Sequence, residues 1–101
     1  MLINIYSLIS SESAATPEQG NLVYEYIEKN LKETPDPESI IFDFDGIDSL
    51  TTAFLNNCLG RLFSLDILKD KLLDILDFKN ISNNSQVKSI RLTLDTALLD
   101  L

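Results

Sequence analysis

The sequence has no histidine and no tryptophan, and its only cysteine is Cys58. Without histidine it lacks the commonest general base and the commonest metal ligand, which excludes serine or cysteine hydrolase chemistry of the usual kind. One cysteine cannot close an internal disulfide, and with no imidazole beside it there is no zinc-binding set. Cys58 lies in an apolar helical stretch and reads as a small buried hydrophobe rather than a nucleophile. Positive charge is scarce too: 8 Lys and Arg stand against 16 Asp and Glu, a net charge of −8. Such a surface repels nucleic-acid phosphates and anionic lipid heads, so neither nucleic acid nor membrane is expected as a partner. No apolar run is long enough to span a bilayer, and residues 1–9 lack the basic flank and length of a signal peptide. A cytoplasmic location is the expectation by elimination.

What is present fits an ordinary globular chain. Its 101 residues are 45% hydrophobic and 24% charged, which points to a single domain over residues 1–101 able to bury roughly two-thirds of its unfolded surface. Leu2 to Ile9 is rich in β-branched residues and predicts a strand, followed by a polar loop over 10–15. Thr16-Pro17-Glu18-Gln19 predicts an N-cap, a first-turn proline and a capping box, opening a helix to about Glu33 with Val23, Tyr24, Ile27 and Leu31 on one face. Gly20 costs that helix about 1 kcal/mol relative to alanine, a sign of close packing there. Thr34-Pro35-Asp36-Pro37 ends it. Ile40 to Phe44 reads as a buried central strand, residues 45–49 as a turn, and Leu50 to about Phe63 as a second helix. After an ambiguous helical stretch over 65–73 come a strand around residues 74–79, a loop over 80–84 and a last helix to Leu99. Alternation of strands and helices argues for a mainly parallel sheet with right-handed crossovers.

Two motifs compete for the centre of the chain. A strand ending in Asp43-Phe44-Asp45-Gly46 resembles the first motif of the haloacid dehalogenase-like phosphatases. That resemblance implies Asp43 as nucleophile, Asp45 as general acid/base and Mg²⁺ on the phosphate. Ile47 stands where that family commonly has Thr, and no acidic pair follows at a later strand end.

The longer stretch Ile41-Phe42-Asp43-Phe44-Asp45-Gly46-Ile47-Asp48-Ser49-Leu50-Thr51-Thr52-Ala53-Phe54-Leu55 resembles the STAS-like domains of uncharacterised function, relatives of the anti-sigma-factor antagonists. Leu76 to Asn80, followed by a helix with Val87, Ile90 and Leu94, is similar to their last strand and helix. The resemblance runs from Gly20 onward. It implies a small α/β domain with about four strands, three to four helices, no cofactor and no enzymatic activity. It also implies a protein partner, of the ATPase or kinase type, docked by the loop and helix start after the central strand: Asp45, Gly46, Asp48, Ser49, Thr51 and Thr52. In the classical antagonists a Ser at the start of that helix is phosphorylated, and Thr52 falls at its place. Thr51 replaces the neighbouring Asp and Phe54 the Gly. Ser49, Thr51 and Thr52 also have a plainer role, as caps of the first helical turn.

In the last helix Val87, Ile90, Leu94, Ala97, Leu98 and Leu101 form the expected core stripe, while Leu92 and Leu99 fall on the opposite side. Those two leucines are candidates for contact with a partner or with a second copy of the chain. Three functional readings result: a regulatory binding module, an Asp43/Asp45 phosphatase, and a structural subunit of an oligomer such as a homodimer.

Overall fold

The computed structural model describes residues 1–68 and 70–99. Leu101, placed above in the core stripe, lies outside them. In chain order the elements are β1 (Leu2–Asn4), α1 (Ile5–Ile9), β2 (Ser13–Ala14), α2 (Pro17–Glu33), β3 (Ile40–Asp43), β4 (Ser49–Leu50) and α3 (Thr52–Leu55). A π-helical turn over Asn56–Gly60 extends α3, and a 3₁₀ turn (Asp66–Leu68) precedes α4 (Leu72–Ile75), β5 (Leu76–Lys79) and α5 (Asn84–Leu99). The fold is α/β with parallel pairing throughout. Among the described residues it holds a three-stranded sheet in the order β1-β3-β5 and a separate two-stranded ladder of β2 and β4, rather than one sheet of about four strands, and five α-helices rather than three to four.

Local chemistry explains the elements. Thr16 accepts the Gln19 N–H at 3.2 Å while the Gln19 side chain accepts the Thr16 N–H at 3.0 Å, so the predicted capping box is complete. The first strand is cut short. The Asn4 side chain accepts the Ser7 N–H at 2.9 Å and caps a helix from Ile5, so residues 5–9 leave the extended form that their β-branched composition predicts. The second helix starts at Thr52, not Leu50, because Ser49 and Leu50 pair with Ser13 and Ala14. The predicted loop over 10–15 likewise contains a strand. The last strand begins at Leu76, two residues later than expected, because α4 continues to Ile75.

Register places Ile3, Phe42 and Phe78 in one row across the sheet, and Ile40 beside Leu76. Phe42, Phe44 and Phe78 form an aromatic cluster with ring centroids 5.9–6.4 Å apart. These side chains meet a core from the helices that includes Val23, Ile27, Phe54, Leu55, Leu59 and Leu62. The opposite row is Leu2, Ile41 and Asp77; Leu2 is 52% exposed, Asp77 is exposed and only Ile41 is half-buried. Helices therefore cover one face of the sheet.

The predicted core stripe of α5 is rotated. The buried residues are Gln86, Ile90 and Thr93, while Val87, Leu94 and Ala97 are half-buried and Leu98 is 39% exposed. Two polar side chains hold core positions because hydrogen bonds satisfy them, which turns the apolar edge of the helix outward.

Candidate functional site

β3 and β5 run parallel and end together, and the loop between β3 and α3 leaves from that end of the sheet. Carboxyl ends of parallel strands are where α/β folds carry their sites. At the end of β3, Asp43 is only 9% exposed. Its Oδ1 accepts the Asn80 side-chain amide at 2.8 Å and the Asp45 N–H at 3.0 Å. The Asn80 bond, helped by the Asp45 amide and the nearby Lys79 ammonium, holds the Asp43 carboxyl below its ordinary value against the opposing effect of burial. Asp43 thus ties the first turn of the loop to the end of β5. Asn80 reaches it from a left-handed conformation with φ of 59°, which asparagine tolerates better than most residues.

The next residues form a tight turn, with the Ile47 N–H donating to the Phe44 carbonyl at 3.0 Å. Gly46 has φ of 83°, the region that favours glycine, and its α-carbon lies under the Tyr6 ring of α1, where a β-carbon would sit 3.3 Å from Cδ2. Asp45, Gly46, Asp48 and Ser49 are all exposed.

Their backbone is braced from beneath. Gln86, 1% exposed, donates from Nε2 to the Ile47 carbonyl at 2.9 Å and to the Asp48 carbonyl at 3.3 Å. Its Oε1 accepts the Ser82 N–H at 2.9 Å, and Ser89 donates to the Leu50 carbonyl at 3.1 Å. From the other side the Glu12 carbonyl accepts the N–H groups of Asp48 and Ser49 at 2.8 and 3.3 Å. The outcome is an exposed acidic loop on a fixed backbone.

Thr51 closes the loop as the N-cap of α3. Its Oγ1 accepts the Phe54 N–H at 3.2 Å and donates to the Ala15 carbonyl at 2.9 Å. That hydroxyl is committed twice, whereas Thr52, half-buried, opens the helix. Ser49 belongs to β4 and does not cap. Asp45 through Thr52 are therefore gathered on one continuous segment. Leu92 and Leu99 are 58% and 85% exposed on α5, and Leu99 lies roughly 20 Å along the helix axis from Gln86.

The reading of the sequence missed Gln86, Asn80, Tyr6 and Ser89. Asn80 carried a usable signal, an asparagine directly after a strand, where left-handed turns are common. Gln86 carried none, since a polar residue in an amphipathic helix reads as solvent-facing.

No curated protein sequence and no solved structure gives a significant match to the chain. A family model described as a STAS-like domain of unknown function matches residues 19–86, from the capping box of α2 through β3, the braced loop and β5 to Gln86 itself. With most of its length matched and a parallel α/β fold around that loop, the chain belongs to the family of STAS-like domains of unknown function.

Proposed function

We propose that the chain is a regulatory protein-binding module that docks a partner of the ATPase or kinase type through the segment Asp45 to Thr52. One observation carries this reading: the backbone of the exposed loop is braced, accepting hydrogen bonds from Gln86 and donating them to Asp43 and the Glu12 carbonyl. A loop ordered before binding loses little entropy on docking. Asp45 and Asp48 give the surface negative charge, which favours a basic counterpart and speeds encounter with it. Thr52 is the proposed phosphoacceptor. Its neighbour Thr51 is occupied as the cap, and a phosphate on Thr52 adds roughly −1.5 to −2 charge to an already acidic surface. That is enough to expel a partner fitted to it.

The Asp43/Asp45 phosphatase reading gains no support from the geometry. A nucleophilic carboxylate must reach phosphorus, and Asp43 is largely buried with one oxygen engaged by Asn80 and Asp45.

The test is affinity capture with the tagged chain, with and without Mg-ATP, comparing wild type, the Asp45→Lys/Asp48→Lys double variant and Thr52→Ala. The expected result is an ATPase-like protein held by wild type, lost by the double variant, and released with ATP as phosphate appears on Thr52 by mass spectrometry. Capture indifferent to the double variant refutes the loop as the docking site. Capture that needs the loop but ignores ATP, with Thr52 unmodified, refutes the phosphoswitch and leaves a plain adaptor.

A further inference from the structure

β5 is an edge strand. It pairs with β3 on one side and with no strand on the other among the described residues. The Phe44 N–H donates to the Lys79 carbonyl at 3.0 Å, so Lys79 faces β3, and by alternation Phe78 turns its backbone groups to the open edge. The carboxylate of Asp77 meets that outward Phe78 N–H at 2.9 Å. A groove of about 370 Å³ lies beside the edge, lined by Phe78, Val87, Leu94 and Leu98 with Arg91 and Asp95. Val87, Arg91, Leu94 and Leu98 repeat at intervals of four, three and four, the spacing of a helix–helix seam. None of the four is buried.

We infer that this face is the interface of a two-fold dimer of the chain, with the β5 strands of two copies antiparallel and adjacent and their α5 seams packed together. Charge identifies the occupant. The chain carries a net −8, yet the charges of the edge strand and the groove balance, Lys79 and Arg91 against Asp77 and Asp95. A second copy is repelled over most of the surface but not here.

The charges of the face are also self-complementary. In an antiparallel pairing centred on Phe78, each Asp77 lies opposite Lys79 of the second copy, and opposite charges across a ladder stabilise it. Phe78 faces Phe78 of the second copy and exchanges two N–H···O bonds with it. The Asp77 carboxylate then leaves the N–H it now accepts and takes the Lys79 ammonium instead. One layer up, an antiparallel seam sets Arg91 near Asp95 of the second copy at its rim. The two three-stranded sheets become one sheet of six, and the open edge, a standing aggregation hazard, is closed. This interface is separate from the loop proposed to dock the regulator, so either can fail without the other.

Sedimentation velocity over a wide concentration range tests the assembly on the full chain. Wild type is expected to dimerise. Asp77→Lys is expected to raise the dimer dissociation constant about tenfold or more, because two symmetric contacts change sign together. Lys79→Glu does the same, and an equimolar mixture of the two variants restores the dimer, since both cross-strand contacts again join opposite charges. Circular dichroism checks that each variant is folded. If Lys79→Glu, which neighbours Asp43, fails to fold, Asp77→Lys at its exposed site decides alone. A monomeric wild type, a dimer indifferent to Asp77→Lys, or a mixture of folded variants no tighter than either alone overturns the proposal.

Discussion

Gly20 is the most closely approached of the three glycines: a β-carbon there would sit 2.4 Å from the Phe54 carbonyl oxygen and 2.8 Å from Asn57 Cβ. Backbone cannot step aside as a flexible side chain can. Gly20→Ala gains about 1 kcal/mol of helix propensity but overpacks the contact by roughly 3 kcal/mol. The expected net loss, about 2 kcal/mol in urea unfolding, sets the second cost against the first; an unchanged midpoint would mean that α2 and α3 can separate freely. Asp43 gives a pH signature. Its folded carboxyl is held below the ordinary value by Asn80, Asp45 and Lys79, so its stabilisation is present above about pH 4 and is lost as pH falls below that. Asp43→Asn should flatten this part of the acid limb in a pH series of urea midpoints, and an acid limb identical to wild type would contradict the assignment. Gln86→Leu keeps the volume but removes the partner of the Asp48 carbonyl and the Ser82 N–H and leaves the Ile47 carbonyl only the Ser82 hydroxyl at 3.4 Å. It should cost about 2 kcal/mol and speed amide exchange at Ser82; unchanged exchange there would mean that Gln86 does not brace the loop.

Among the elements, α2 was the most legible, because a capping box is a local device whose partners lie three residues apart. The β3 strand and its turn were legible for the same reason: a short apolar run, then Asp-Gly. The stretch Ile5–Ile9 was not, because its β-branched composition favours a strand, whereas the Asn4 cap, the left-handed Ser10 cap and packing on α2 hold it as a helix. The pairing of Ser13–Ala14 with Ser49–Leu50 spans two residues per strand, too few for any period to show, and its partners are 36 positions apart. For α5 the hydropathy pattern located the helix but misjudged its face, since Gln86 and Thr93 pack inward on hydrogen bonds that no apolar count records. The candidate loop was therefore readable as a segment, and its bracing was not. Leu92 lies away from the core, where the hydropathy pattern put it. At 58% exposure it contributes no core, so Leu92→Arg should shift stability by less than about 0.5 kcal/mol; a loss several times larger in thermal unfolding would place it in the core.

On the scale of the molecule, the core joins α2, the helix from Thr52 and α5 over one face of the sheet, and Cys58 sits fully buried among them on the π-helical turn. Burial pushes its thiol up to about 12, so hardly any reactive thiolate exists at neutral pH even before access is considered. A disulfide reagent can therefore reach the sulfur only when the helices part. The turn bearing Cys58 packs against both α2 and α5, so exposing the sulfur disrupts the contacts that join the helical layer. Opening at this position should have the free energy of global unfolding rather than of local fraying. Thiol modification measured against urea concentration should consequently extrapolate to the same stability as the urea transition itself. Gly20→Ala should then accelerate modification by the factor by which it shifts the unfolding constant, roughly thirtyfold for a loss of about 2 kcal/mol. Modification much faster than the unfolding constant allows would show instead that the helical layer opens as a separate unit, and that the sheet survives without it.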